Sequence, residues 1–446
     1  MFLRKHVVAR GDHTYVSYRL CRTIRDGSKV RQEIVANLGK LSTGEAERIG
    51  AQLLAIAGKT PPQYPQGQQG PACLYGGPLL VRRLMELARL PELLQPLGQT
   101  HRRMDLERTI TVALCAQLLS PGSELSTCAW QDKLLFTQPP YQIPYQHFLR
   151  ALDVLADHHH QIEDALFARV QHLFNQRVDL VFYDLTSSYF EGDGPADLAR
   201  RGYSRDGRPD CVQVVVGLAV TKDGFPIAYR VHAGNTVDAK TLQQMAQDFR
   251  QRFQVDRCLV VGDSGLLSKA NTDKLEQLGV GYLSGMGAKR HENQQRLTAI
   301  RDGGGKYVLQ SSSLELSAQD AAVAYRQLEV VEDSFRHLKD TLQLRPIYHR
   351  HPRRVMGHIG LCVLALFLLR LLEDRMMAAG ICDPAGQIIQ AVEQLQAVPV
   401  RFDEREVWPV PHVTTKTAAI FHAVGVEDVR ACFQRDLQTN HLSSPD

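Results

Sequence analysis

An α/β region, preceded by a helical domain and a small β-rich module, is the fold class this sequence predicts. Three observations predict it. From Arg177 to Met286 apolar strand-like runs alternate with helical ones. Two of those runs, RVDLVFYD and RCLVVGD, each end in an aspartate, Asp184 and Asp263. A helix-period run from Ala321 to Leu342, AAVAYRQLEVVEDSFRHLKDTL, follows them. In open α/β sheets, ligands gather at the carboxyl ends of the strands.

The long run justifies itself by its spacing. At 100° per residue, Tyr325, Leu328, Val331, Phe335, Leu338 and Leu342 share one side. Glu332 and Lys339 stand on the same stripe, toward its Tyr325 edge, while Glu329, Asp333 and Arg336 project elsewhere. A carboxylate among apolar residues is costly unless positive charge meets it. A metal ion or Lys339 would meet it. An amphipathic helix that tolerates one Glu at the edge of its buried face is the plainer alternative.

The remaining elements follow in order. Residues 1–56 form the β-rich module, with HTYVSYRL and KVRQEIVANLG as strands around the turn RDGS. Residues 57–72, rich in Pro, Gly and Gln, form a linker. Residues 73–176 repeat apolar positions at three- and four-residue spacing and form a helical domain. His158, His159 and His160 are consecutive, so on a helix they point apart and cannot chelate one ion together. Residues 177–375 form the catalytic domain, with a short insertion at 287–320, and 376–446 a helical or irregular tail. Within the catalytic domain CVQVVVGLAVTKDGFPIAYRVHAG is a hairpin turning at KDGF. Asp238 to Phe253 is helical, with Asp238 as its cap, and GVGYLSGM is a further strand.

A chain of 446 residues has room for two or three domains. Net charge is only +4, but it is unevenly spread. Residues 1–40 carry nine Lys/Arg against three acids, and Phe335 to Arg354 six Lys/Arg and three His against one acid. Such patches attract polyanions. Each alone also fits a solvated charged face. The nine Cys include no CxxC pair, which argues against a zinc finger and a disulfide framework and fits buried thiols in a reducing cytoplasm. No secretory signal opens the chain. The apolar stretch Val355 to Leu372 is interrupted by His358 and Arg370, and its clean part, Ile359 to Leu369, is too short to span a bilayer. It is expected to be a buried core helix, with no membrane as partner.

Asp184, Asp263 and Glu332 are the candidate constellation. Three carboxylates at one point repel strongly in low dielectric, and divalent cations relieve that repulsion. Oxygen-only ligands suit Mg²⁺ or Mn²⁺. Two such ions about 4 Å apart clamp the attacking and leaving oxygens of a phosphoryl transfer.

Four segments carry a resemblance: YDLTSSYFEGDG, GYSRDGRPDCVQVVVGLAVTKDGFPIAYRVHAGNTVD, VVGDSGLLSKAN and YRQLEVVEDSFRHLKDTLQLRPIYHR. In this order they resemble the DDE transposases of bacterial insertion sequences, in the insertion-sequence-four superfamily with a ribonuclease-H-like catalytic domain. KVRQEIVANLGKL matches the group's opening, and the likeness runs to about residue 375. It implies Asp184, Asp263 and Glu332 as catalytic and metal-holding acids, in that order, with Mg²⁺ or Mn²⁺, two ions in all. Tyr325, Glu332 and Lys339 match the superfamily's Tyr–Arg–Glu–Lys spacing, and Leu328 stands where its Arg would be. The spacing to Lys339 favours Glu332 over Glu329 as third acid. Tyr325 and Lys339 are then expected near DNA phosphate, joined by Arg336, by Arg345, Arg353 and Arg354 of the run RPIYHRHPRR, and by Arg205 and Arg208.

The resemblance implies a cytoplasmic, nucleoid-associated enzyme. Its partners would be double-stranded DNA, both the terminal inverted repeats of its element and target DNA. It would work as a homodimer across paired ends. Relatives usually carry a long β-rich insertion between the second Asp and the Glu; here a short segment intervenes. Two alternatives therefore stand beside transposition: an internally shortened transposase that only binds DNA, and a ribonuclease-H-like nuclease.

Overall fold

A computed structural model describes residues 1–10, 13–26, 29–56, 68–99, 104–137, 142–174, 180–237, 241–253, 259–262, 266–285, 309–312, 317–402 and 405–439. By internal contacts the chain forms two units, Met1–Gln69 with Val400–Val407, and Gly70–Pro399 with Trp408–Asp446.

The first unit opens with strands β1 (Phe2–Arg10), β2 (His13–Asp26) and β3 (Lys29–Gly39), an antiparallel meander in that order. Helix α1 (Thr43–Ile56) packs against β1. Its entry is a reciprocal cap: the Ser42 backbone N–H donates to Glu45, and the Glu45 N–H to the Ser42 hydroxyl. Val7, Val8, Tyr15, Val30, Ile34 and Val35 are exposed on this sheet, and Lys40 stands over the Tyr15 ring. Strand β4 (Gln68–Gln69) joins a sheet with two short strands from the carboxyl-terminal part, Val400–Phe402 and Arg405–Val407.

The second unit starts with β5 (Cys73–Leu74) and six helices: α2 (Gly76–Leu87), α3 (Leu90–Gly98), α4 (Leu106–Leu119), α5 (Glu124–Trp130), α6 (Tyr145–Asp157) and α7 (His159–Phe174). Asp105 caps α4 by accepting from the Arg108 N–H, and α4 is buried over most of its length. The triplet His158–His160 spans the joint between α6 and α7, where His159 contacts the Ala156 carbonyl and His160 faces Glu163.

A six-stranded sheet follows: β6 (Leu180–Tyr189), β7 (Gln213–Thr221), β8 (Pro226–Ala233), β9 (Leu259–Gly262), β10 (Gly281–Gly285) and β11 (Leu309–Ser311). Helix α8 (Leu242–Gln251) lies between β8 and β9 in sequence, and α9 (Lys269–Leu278) between β9 and β10. The spatial order is β11-β10-β9-β6-β7-β8. Strands β6, β7 and β8 form an antiparallel meander; β9 runs parallel to β6, and β10 parallel to β9. A meander of three strands, with the next two added in parallel beside the first, is the ribonuclease-H-like arrangement.

The expected hairpin at KDGF is present, with Gly224 at φ +81° in its turn. Strand β6 corrects one boundary: it continues past Asp184 to Tyr189, because Leu185 to Tyr189 pair with Gly217 to Gln213. Asp184 is mid-strand.

The expected single helix from Ala321 to Leu342 is also corrected. It comprises α10 (Ala318–Arg326), α11 (Glu329–Arg336) and a π-type turn, His337–Thr341. At the break, tighter i,i+3 bonds run from Leu328 N–H to Tyr325 and from Val330 N–H to Gln327. Helix α10 packs on β9, β10 and β11, whereas α11 packs on β6 and β7, so the two must diverge.

Helix α12 (Pro352–Ala378) is the expected core helix. It is long and apolar enough to cross a membrane, yet 89% of its most apolar window is buried inside the protein. It packs on α4, α6 and β8. Gly357 meets the Leu152 backbone so closely that a Cβ there would overlap its carbonyl. Each buried Leu or Ile on α12 contributes about 1.5–3 kcal/mol of burial. The chain closes with α13 (Ala385–Glu393), β12 (Gln396–Ala397), β13 (Val400–Phe402), β14 (Arg405–Val407), α14 (Thr415–Ala423) and α15 (Val429–Thr439). The described cysteines are all free thiols, and Cys21, Cys73, Cys115 and Cys362 are buried.

Candidate active site

Asp184 is half-buried in β6 and has interaction partners of its own. It pairs with Leu218, which pairs with Tyr229. Directly opposed residues of antiparallel strands share a face. The Tyr229 hydroxyl reaches α12, donating to the Met356 carbonyl at 3.4 Å. Ser188, an even number of residues along β6, donates to the Leu344 carbonyl at 3.3 Å, just past the π-type turn. The face that bears Asp184 is thus the one over which α11, the turn and α12 lie.

On α11, Val331, Ser334 and Phe335 are buried, and so is Leu338 in the turn. Glu332 is exposed rather than set among apolar side chains, so it carries little desolvation cost. It lines an open groove with Lys222, Asp223, Glu329, Asp333, Arg336 and Arg370. Val330 stands 3.3 Å from where a Cβ on Gly224 would be, so α11 begins at the hairpin turn. Thr221, at that turn, pairs with Val181. Asp184 is three residues further along β6, roughly 10 Å. Asp184 and Glu332 therefore share a side of the sheet and stand at different heights on it. The parallel pairs of β6 and β9 run to Phe182 beside Val261. Asp263 lies outside the described residues, as does Asp238.

Six of the cations expected near DNA already meet carboxylates. Lys339 donates to Asp206 at 2.7 Å, Arg345 also bonds Asp206, and Asp340 lies 3.1 Å from Arg345. Burial pulls the Lys339 pKa down, and Asp206 only partly offsets it. Arg336 pairs with Asp333, Arg208 with Asp210, Arg353 with Asp157 and Arg354 with Asp153. Arg205 stands over the Tyr203 ring and Arg208 over Tyr189. Exposed pairs of this kind contribute about 0–1 kcal/mol, so exchanging a carboxylate for a phosphate is cheap. For the buried Asp206 it is not. Arg370 bonds Asp333 at 2.7 Å and Glu373 at 2.8 Å. Burial raises the Asp333 pKa, but Arg370 outweighs it and holds the carboxyl below its usual range. Tyr325 is half-buried, its hydroxyl against Gly285 of β10.

Asp206 was missed by reasoning from spacing. It sits among the arginines of YSRDGRPD, and nothing local marks it as the partner of residues more than 130 positions away.

The sheet order is that of a ribonuclease-H-like domain, and the family matched sets the activity class, a polynucleotidyl-transferase type of enzyme. Residues 179–368 match the transposase DDE domain, and residues 3–62 match the N-terminal domain of the IS1634 family of transposases. The chain belongs to the DDE transposases of insertion sequences. Among solved structures it is similar to the Mos1 transposase paired-end complex with left transposon end, at 11% identity over 48% of this chain and 76% of that one, TM-score 0.18. It is also similar to the Mos1 mariner paired end complex with Mn, at 14% identity over 47% and 75%, TM-score 0.17. Comparison with curated proteins gives no match.

Proposed function

We propose that this chain cuts DNA at the ends of its own element and joins the freed 3′-hydroxyl to target DNA, with Asp184, Asp263 and Glu332 as the acids that hold divalent metal. One observation carries the reading: inside the DDE domain span, Asp184 sits on the central strand and faces the side over which the Glu332 helix lies. The carboxylate donors are all oxygen, and Glu332 is open to a groove, which fits Mg²⁺ or Mn²⁺. Such ions, when bound, supply charge neutralisation at the attacking and leaving oxygens.

The chain's own residues do the positioning. Lys222 and Arg336 flank Glu332 in the groove and would take phosphate oxygens there. Asp206 holds Lys339 and Arg345 and so fixes the segment that leaves the turn. Arg205, Arg208, Arg353 and Arg354 would exchange their partners for the DNA backbone. The nine Lys/Arg of residues 1–40 would add attraction for the terminal inverted repeats. A homodimer would hold two ends at once, acting on nucleoid DNA in the cytoplasm.

The test incubates the purified chain with its element's ends, a target plasmid and Mn²⁺. Parent protein is expected to nick the ends and give joined product. Asp184→Ala, Asp263→Ala and Glu332→Ala are each expected to lose at least about a thousandfold in rate while still binding the ends. Binding without nicking by the parent would leave a DNA-binding protein, and cleavage without joined product a nuclease; either result overturns the proposal.

A further inference from the structure

Three ionisable side chains that the proposed reaction does not use are buried together where the segment leaving the π-type turn meets the helical region. Glu124 opens α5, directly after the capping residue Ser123. His349 lies just before α12, and His358 in its first two turns. Their relative exposures are 8%, 8% and 6%. His349 Nε2 is 3.1 Å from Glu124 Oε2, and His358 Nδ1 is 3.5 Å from Glu124 Oε1. All three donor atoms lie within 4.8 Å of one another.

The hydrogen bonding decides what the cluster offers. His358 Nε2 is 3.3 Å from the Leu344 carbonyl, which can only accept, so Nε2 carries the proton. Nδ1 is buried and faces Glu124 Oε1 at 3.5 Å without a well-formed hydrogen bond, so it is the nitrogen an ion would take, displacing any proton it carries. A ring N–H given to a backbone carbonyl is the support that metal-ligating histidines use to fix their tautomer. Ligands about 2.0–2.1 Å from a tetrahedral ion stand about 3.3 Å apart. The two histidine nitrogens stand 3.1 and 3.5 Å from the carboxylate, one from each of its oxygens, close to that value. We propose that Glu124 Oε, His349 Nε2 and His358 Nδ1 hold a zinc ion, with water in the fourth position. Two imidazoles and one carboxylate suit zinc and disfavour Mg²⁺, which prefers oxygen alone. The ion ties α5, the segment after the catalytic helix and α12 together, so it positions the Glu332 helix without entering the reaction.

The test uses the full chain without a histidine tag, loaded with zinc and dialysed. Elemental analysis should find one zinc per chain in the parent and in the Asp184→Asn/Glu332→Gln double variant. Glu124→Gln should retain less than a tenth of that, and its melting temperature should no longer rise with added zinc. Cobalt(II) in place of zinc should give the parent the visible bands of a low-symmetry, four-coordinate site, a reading that needs no variant to fold. A parent that keeps no zinc and shows no cobalt bands overturns the proposal. So does zinc that disappears with Asp184 and Glu332 but survives Glu124→Gln, because the ion then belongs to the catalytic acids.

Discussion

Asp206→Ala strands two cations in one step. The Asp206 side chain is 1% exposed and lies between Lys339, 12% exposed, and Arg345, 25% exposed. Removing one partner of a buried pair costs about 3–5 kcal/mol when the other charge stays buried. Two features lower the figure. Arg345 keeps Asp340 at 3.1 Å and reaches solvent, so Lys339 alone is left uncompensated. Asp206 Oδ2 is buried without a partner, so part of that carboxylate's desolvation is unmatched in the parent and is relieved by its removal. The net expectation is a loss of about 2–3 kcal/mol, or roughly 1 M in the urea midpoint of the unit that contains the sheet. Urea unfolding followed by circular dichroism at pH 7 measures it. Asp210→Ala, which removes an exposed partner of Arg208, is the control and should stay within about 0.5 kcal/mol of the parent. A loss below about 1 kcal/mol, no larger than the control's, would refute the claim that Asp206 holds the segment after α11 and the π-type turn.

Other outcomes follow from the same geometry. Lys339→Met should lower stability while leaving the slope of log affinity against log salt unchanged if Lys339 serves Asp206. A slope lower by about 0.9 would instead mark it as a phosphate contact. The Glu124 cluster predicts a pH window for the chelator-treated chain. Burial raises the Glu124 pKa, but the neighbouring His349 and His358 outweigh it and hold the carboxyl far below 4.5, so its stabilisation is present above 4.5 and lost toward acid. Burial lowers the His358 pKa, but Cys362 and Glu124 outweigh it and lift it well above 6.5, so its stabilisation is full below 6.5 and fades as pH rises. Melting temperature should therefore peak between those values and flatten in Glu124→Gln. Gly357→Ala should destabilise by about 1–3 kcal/mol because its Cβ meets the Leu152 carbonyl, whereas Gly386→Ala on α13 meets nothing and should gain up to about 1 kcal/mol; thermal unfolding compares the two.

Much of the catalytic region was legible in local patterns. The apolar runs at Leu180 and Leu259, the turn at Gly224 and the buried α12 are stated by residues within a few positions of one another. The stripe from Val331 through Phe335 and Leu338 to Leu342 is buried as its spacing implies. Where the chain's behaviour depended on distant partners, spacing was not enough. Strand β6 runs past Asp184 because β7 is there to pair with it. The long helix breaks at Gln327–Leu328 because its halves meet different strands. His349 read as part of a basic run and His358 as an interruption of an apolar one; burial beside Glu124 makes them a cluster.

By itself the sequence determined the class of fold, the hairpin and the order in which two of the acids arrive on a strand and a helix. Periodicity and turn chemistry act through near neighbours, so they are written locally. Only the tertiary structure decided that Glu332 faces an open groove at the hairpin end, that Lys339 answers to Asp206, and that Glu124 meets two histidines. Those facts arise where segments more than a hundred residues apart are packed at close range, and a charge buried there takes whichever partner the packing supplies.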